Sequence, residues 1–198
     1  MRIVAGKHKR RQLMTAPGQD VTRPTSDRVR ESLFNIIASE IPGAIALDLF
    51  SGSGALGIEA LSRGAAGVVF VEKNPTAISC IAGNLGALGE QGDNVAVVKA
   101  DVAAFLANPS AFLARSVGAA DLAASIDVIF ADPPYDSAWY DNALVLLEGS
   151  GLCKAETLAV IEMAHGRELA APPGSPWRLE GERKYGKTRL ELWRRGEP

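Results

Sequence analysis

The chain has 198 residues, 47% of them hydrophobic, which fits one compact domain with a single good core and leaves no room for a second of comparable size. No window approaches the roughly 20 continuous apolar residues of a membrane-spanning helix, and Cys80 and Cys153 show no paired spacing, no metal-ligand pattern and no secretory signal ahead of them. The expectation is therefore a cytoplasmic protein with free thiols, no membrane association and no metal.

The net charge of −2 conceals an asymmetry. Residues 1–30 hold Arg2, Lys7, Lys9, Arg10, Arg11, Arg23, Arg28 and Arg30 against Asp20 and Asp27, a balance of +6 that leaves −8 for the remainder. A basic segment on an acidic body is a candidate phosphate-contacting surface, with these arginines and lysines as candidate RNA contacts.

The first predicted element is a hairpin, with Arg2–Ala5 and Arg11–Met14 flanking GKHKR and Gly6 near the bend. Its tip is cationic, although lysines on a strand edge also serve simply to discourage aggregation. His8 lies in this tip with no acid or cysteine beside it in sequence, and reads as a surface residue. An extended linker follows, so residues 1–22 form a basic hairpin and linker and residues 23–198 the main domain. Thr25 or Ser26 is placed to cap a helix reaching about Glu40, with Val29, Leu33, Phe34, Ile36 and Ile37 on its apolar face. Cations at the start of a helix oppose its dipole, so Arg28 and Arg30 need another reason for their position. Phosphate binding is one, and a local pair with Asp27 or Glu31 is another.

Ile45–Phe50 reads as a central strand that runs into Ser51-Gly52-Ser53-Gly54-Ala55-Leu56-Gly57 and a helix to about Arg63. The glycine spacing also matches a dinucleotide-binding turn, so an NAD-linked oxidoreductase has to be weighed. Asp48 argues against it, because an anion beside that turn repels a pyrophosphate and favours a cationic ligand. Val68–Val71 is a second strand ending at Glu72, the position from which a carboxylate holds ribose hydroxyls. Pro75 opens a helix bearing Ile78, Ile81, Leu85 and Leu88. Val95–Val98 is a third strand, and Asp101 after it either accepts an adenine amino group or caps the next helix. Residues 108–125 are Ala-rich and weakly patterned, and read as a surface excursion.

The run Ile126–Ala131 ends in Asp132-Pro133-Pro134-Tyr135. An apolar run bounded by a proline pair reads as a buried strand whose carboxyl end opens into a site. Prolines lack an N–H and fix φ, leaving stiff carbonyl acceptors beside the Asp132 carboxylate, while Tyr135 offers a flat face. Such a set suits a planar ring carrying an amino group, that is, a nucleobase. Taken alone the tetrapeptide also reads as an ordinary turn. Residues 138–148 then read as a helix, with strands at Thr157–Met163 and Arg189–Trp193. Strands alternating with helices give an α/β fold with a doubly wound, mostly parallel sheet, and Asp48, Glu72, Asp101 and Asp132 all fall at strand carboxyl ends.

From the RIVAG hairpin through RPTSDRVRESLFN, LDLFSGSGALGIEALSRGA, VFVE, ADPPY and KYGKTRLEL, the chain resembles, nearly end to end, the bacterial small-subunit ribosomal RNA guanine-N2 methyltransferase family, RsmD-like. The resemblance implies a Rossmann-like class I methyltransferase with a small amino-terminal β-hairpin extension, using S-adenosylmethionine and releasing S-adenosylhomocysteine. It implies that Asp48, Gly52 and Gly54 line the methionine part of the cofactor, Glu72 the ribose, Asp101 the adenine, and Asp132, Pro133, Pro134 and Tyr135 the target guanine. A monomer acting on small-subunit ribosomal RNA, free or in an assembling subunit, is expected. The alternatives are an amine methyltransferase acting on adenine or cytosine in DNA, and an inactive RNA-binding assembly factor. The first usually carries a recognition domain, and the second should have lost Asp132 or a loop glycine.

Overall fold

The short apolar runs become strands of one seven-stranded sheet in a computed structural model that describes residues 1–16, 24–115, 122, 126–134 and 136–197. In chain order the strands are β1 (Ile45–Leu49), β2 (Gly67–Glu72), β3 (Val95–Lys99), β4 (Ile126–Ala131), β5 (Cys153–Ala164), β6 (Trp177–Tyr185) and β7 (Thr188–Arg195). They lie in the order β3-β2-β1-β4-β5-β7-β6. The first five are parallel, and β7 runs antiparallel between β5 and β6. Chain order reverses between β1 and β4, so the loops leaving these two strands diverge and open a crevice at their carboxyl ends.

The helices are α1 (Pro24–Ile36), α2 (Ala55–Ser62), α3 (Pro75–Leu88), α4 (Val102–Ala107), α5 (Pro109–Leu113) and α6 (Ala143–Gly149), the last preceded by a 3-10 turn at Ala138–Asn142. Because side chains alternate across a strand, β1 sends Ala46 to one face and Leu47 and Leu49 to the other. The first face packs against Phe34, Ile58 and Ile81 of α1, α2 and α3, and the second against Phe105 of α4, Trp139 of the 3-10 turn and Leu147 of α6. Phe34 and Phe130, both fully buried, meet with ring centroids 5.4 Å apart. Loss of either ring would destabilise the fold by about 3–5 kcal/mol.

The amino-terminal segment pairs as a hairpin: the Ile3 N–H donates to the Arg11 carbonyl (3.0 Å), and the Leu13 N–H to that of Met1 (3.0 Å). Gly6 has φ +82°, and a Cβ there would lie 1.8 Å from the Ser62 carbonyl oxygen, so the bend needs glycine for both conformation and closeness. Ile3 and Leu13 are buried in the core of α1, α2 and α3. Glu59, wholly buried on α2, accepts the N–H groups of Val4 (2.8 Å) and Ala5 (3.0 Å) and the Nε of Arg63 (2.7 Å). Asn84 of α3 accepts the Met14 N–H (2.7 Å) and donates to the carbonyls of Met14 (3.0 Å) and Ser53 (3.1 Å).

Several boundaries differ from those read in the sequence. The helix α1 stops at Ile36, where the chain tightens into turns before Pro42, and Ile36 is exposed and lies off the apolar face. The strand β5 begins at Cys153 because Cys153–Glu156 adds an exposed alternating stretch, with Glu156 in the left-handed region (φ 68°) where the β4–β5 register shifts. The strand β6 was not expected: it is an outer strand, largely exposed, with charged residues at Arg178, Glu180, Glu182, Arg183 and Lys184 and a bulge near Gly181. Residues 138–148 split into the 3-10 turn and α6. Within 108–125, α5 places Leu113 in the core and Phe112 against it.

A candidate active site at the carboxyl edge

Three of the four acids expected at the strand ends, Glu72, Asp101 and Asp132, line one crevice. The loop after β1 turns through positive φ at Phe50 (58°), Gly52 (54°) and Gly54 (80°) before α2 starts. Ser51 pins it to β2: its Oγ donates to the Asp48 carbonyl (2.6 Å) and accepts the Val71 N–H (3.0 Å). The loop faces a cavity of about 1010 Å³. Gly52 lines this cavity, and a Cβ on it would touch nothing within 4 Å, so the backbone there is open to a ligand. Gly54 does not line it. A Cβ on Gly54 would meet Ile58, Ile81 and Phe70 at 3.3 Å, so this glycine serves the turn and its packing. Gly57 packs tighter still, 2.3 Å from Phe70 by the same test.

Glu72 lines the cavity at the end of β2, with its carboxylate accepting the N–H groups of Gly52, Lys73 and Asn74, each at 2.8 Å. Asp48 is buried and outside the lining, and its Oδ2 accepts the Gly57 N–H (2.9 Å). Burial pushes the Asp48 carboxyl up to about 7, the Gly57 N–H opposes that, and the charges of Asp132 and Glu72 add to it. Asp101 caps α4 through the Ala103 N–H (3.0 Å), one of the two roles read for it in the sequence, and also lines the cavity. Burial raises its carboxyl, but the hydrogen bond from Lys73 and the amide of Ala103 outweigh this and hold it below the usual carboxylate range.

Asp132 follows β4 and faces the open cleft, so its surface is exposed although protein surrounds it. That low-polarity surrounding pushes its carboxyl up to about 6, a shift that water in the cleft tempers and a ligand displacing the water would deepen. The Pro133 carbonyl and that of Glu162 both accept the Tyr140 hydroxyl, at 3.2 and 2.9 Å, which ties the tetrapeptide to the end of β5. The Arg167 guanidinium covers the Tyr140 ring at 4.5 Å. Pro133 and Pro134 line the cavity; Tyr135 lies outside the described residues.

Sequence reasoning missed Phe50, Trp139, Asn142 and Glu162, which also line the cavity, with Trp139 edge-on to Phe50 at 5.4 Å. Glu162 was within reach of the rule that found the other acids, since it is the acid near the carboxyl end of β5.

The basic amino-terminal residues divide. Arg30 is buried and donates to Asp27 (2.8 Å) and the Arg2 carbonyl, with Glu59 3.8 Å away, so the local pair explains its position and phosphate contact does not. Lys7 pairs with Glu90 (2.6 Å), and Arg11 donates to the Ala87 carbonyl (2.8 Å). His8, expected at the surface, is largely covered and bonded to Glu90 (2.5 Å), a partner 82 residues away that no local reading would find. Lys9, Arg10 and Arg28 are exposed, and Arg23 lies outside the described residues.

The chain matches the family model described as conserved hypothetical protein 95 over residues 1–194. It is 34% identical over 195 residues to ribosomal RNA small subunit methyltransferase D of Escherichia coli (strain K12), covering 98% of this chain and 90% of that protein. The Haemophilus influenzae protein of the same name is 32% identical over 193 residues, covering 98% and 93%. The solved structure of yhhF from Escherichia coli superposes with a TM-score of 0.79 at 33% identity, covering 100% of this chain and 99% of that one.

Proposed function

The chain belongs to the conserved hypothetical protein 95 family and is a ribosomal RNA methyltransferase, and from that premise we propose that it methylates the exocyclic N2 amine of one guanine in small-subunit ribosomal RNA, using S-adenosylmethionine. The observation that carries this reading is the gathering of Glu72 and Asp132 on one cavity, with Asp48 behind them, while the cation among the described lining residues, Lys73, is paired with Asp101. An anionic pocket opposes a pyrophosphate and favours a ligand carrying an ammonium and a sulfonium. The open face at Gly52 supports the fit, and the volume is at the upper end of ordinary ligand pockets (roughly 300–1,000 Å³), which suits a cofactor and an entering base together.

When bound, S-adenosylmethionine supplies an electrophilic methyl group on its sulfonium. Glu72 holds the ribose side, and Asp101 is placed for the adenine amine. An exocyclic guanine amine is a weak nucleophile, because its lone pair is delocalised into the ring, so it needs orientation more than deprotonation. Asp132 and the Pro133 carbonyl accept its two N–H bonds and turn the lone pair outward, and positioning of this kind can lower a barrier by as much as about 7–11 kcal/mol. After transfer the nitrogen is acidic, and Asp132 takes its proton. The reading includes action as a monomer in the cytoplasm on free or assembling small subunits.

The test is mass-spectrometric mapping of methylated nucleotides in small-subunit ribosomal RNA from cells with and without the gene, paired with titration of the protein by S-adenosylmethionine and by NAD. One N2-methylguanosine should be lost with the gene and restored by the purified protein. Identical maps, or binding of NAD alone, would sink the proposal.

A further inference from the structure

The cationic hairpin tip is at the wrong end of the molecule to serve the cavity. Lys7 donates its N–H to the Ser62 carbonyl (2.8 Å) at the last residue of α2, and its side chain reaches Glu90, just past the end of α3. Both helices start beside the cavity, at Ala55 and Pro75, and run away from it. Fourteen residues of α3 at 1.5 Å each put the tip roughly 20 Å from the cavity rim.

Another basic group stands at the rim itself. The strand β7 starts beside the carboxyl end of β5, where Thr188 faces Ala164, and β6 ends where Tyr185 faces Thr188. The turn between them is thus on the same edge as Asp132. It also projects, because β5 continues three residues past Ile161, the partner of Ala131, or roughly 10 Å beyond the end of β4. The turn is braced from two sides: the His165 N–H donates to the Lys187 carbonyl (2.8 Å), and Tyr185 bonds Ser32 of α1 (2.5 Å). One helical turn before Ser32 stands Arg28, on the same side of α1 and exposed. Arg183, Lys184 and Lys187 are exposed as well. Glu182, the acid among them, is held by Arg189 (2.7 Å) and touches Lys184 at 3.3 Å.

We propose that this rim, Arg28 with Arg183, Lys184 and Lys187, holds the phosphate backbone of the RNA strand that delivers the target guanine, and that the hairpin tip does not. The inference rests on the methyltransferase reading and adds the surface through which the RNA is gripped. A rigid cationic wall beside the cavity mouth neutralises phosphates next to the extruded base, where the contact helps to position it.

The test compares two quadruple variants with the parent: Arg28→Gln, Arg183→Gln, Lys184→Gln and Lys187→Gln in one, and Lys7→Gln, Lys9→Gln, Arg10→Gln and Arg11→Gln in the other. Binding of unmodified small-subunit ribosomal RNA transcript is measured over a salt series. Each lost phosphate contact flattens the slope of log affinity against log salt by roughly 0.7–0.9, so the rim variant should lose about 3 from the slope and the hairpin variant less than about 1. The rim variant should also raise the KM for RNA while its kcat and its affinity for S-adenosylhomocysteine stay near the parent's. A rim variant with the parent's slope, or a hairpin variant carrying the change, overturns the inference and leaves the methyltransferase reading standing. A parent that binds and methylates neither this transcript nor assembling small-subunit particles overturns both.

Discussion

The two edges of the one sheet use charge in opposite ways. Near the amino edge, among the described residues, buried and half-buried acids are answered: Glu59 by two backbone amides and Arg63, Glu90 by Lys7 and His8, and Asp127 by the Ile45 N–H (2.8 Å) and Lys154 (2.6 Å). Arg194 joins Glu40 to Glu180 there, and this pairing pushes its pKa far up. At the carboxyl edge, Asp48 and Asp132 sit near one another in low-polarity surroundings that raise both. Charge that is satisfied holds the fold together, whereas charge that is crowded and left facing a cleft is what an active site keeps.

The sharpest way to break this comparison is at Glu59. Glu59→Ala leaves the Val4 and Ala5 amides and Arg63 without their buried acceptor and takes away the negative charge 3.8 Å from buried Arg30, and should destabilise the protein by about 3–5 kcal/mol while kcat per folded molecule stays near the parent's. Denaturant unfolding and active-site titration would show it, and an unchanged unfolding free energy would place Glu59 outside the structural set. Asp132→Ala should do the reverse, lowering the methyl-transfer rate by more than about a hundredfold with cofactor affinity and unfolding midpoint nearly unmoved. Single-turnover rates within a few-fold of the parent would end the orientation mechanism.

Glu72 stands between these extremes, because its carboxylate both faces the cavity and holds three amides. A hydrogen bond to a charged acceptor is worth roughly 1.5–3 kcal/mol, so Glu72→Ala should weaken S-adenosylmethionine about ten- to a hundredfold by calorimetry. It should also lower the thermal midpoint, since the Gly52 loop loses its anchor. The smallest effects are those of pH. Asp132 has to be ionised to accept the amine, so activity should fall about tenfold per unit as pH drops below about 6. For Asp48, whose carboxyl is raised from 3.8 to about 7, ionisation is disfavoured in the folded state; the stability this group contributes is fully present below about pH 4 and lost as pH rises through about 7. Asp48→Asn keeps an acceptor for the Gly57 N–H and should therefore be more stable than the parent above pH 7 but not below pH 4, as thermal scans at both values would show.

Much of the carboxyl edge was legible because one rule covers it: in a doubly wound sheet, an acid that ends a buried apolar run faces the crevice. Glu72, Asp101 and Asp132 followed it into the cavity wall, while Asp48 lies two residues short of the register of Glu72 and Asp132, level with Phe70 and Phe130, and turns inward to Gly57. The hairpin's place at the amino edge was not legible, since its partners lie 54 to 83 residues away and no local pattern marks Glu59 or Glu90 as the acid a hairpin will need. For Arg30 the sequence left two reasons open and the local pair with Asp27 is the one the structure shows, while β6 was missed because an outer strand that buries little has little apolar alternation to show.

The bonds from Val4 and Ala5 to Glu59 and from Met14 to Asn84 also set an order of events during synthesis. Val4 and Ala5 meet Glu59 only after about 55 further residues have been made, Met14 meets Asn84 after about 70, and Lys7 and His8 wait for Glu90. Loop closure over such a span comes late in folding, so substitutions in residues 1–14 should speed unfolding far more than they slow refolding. The same segment therefore becomes part of the core only when α3 is complete.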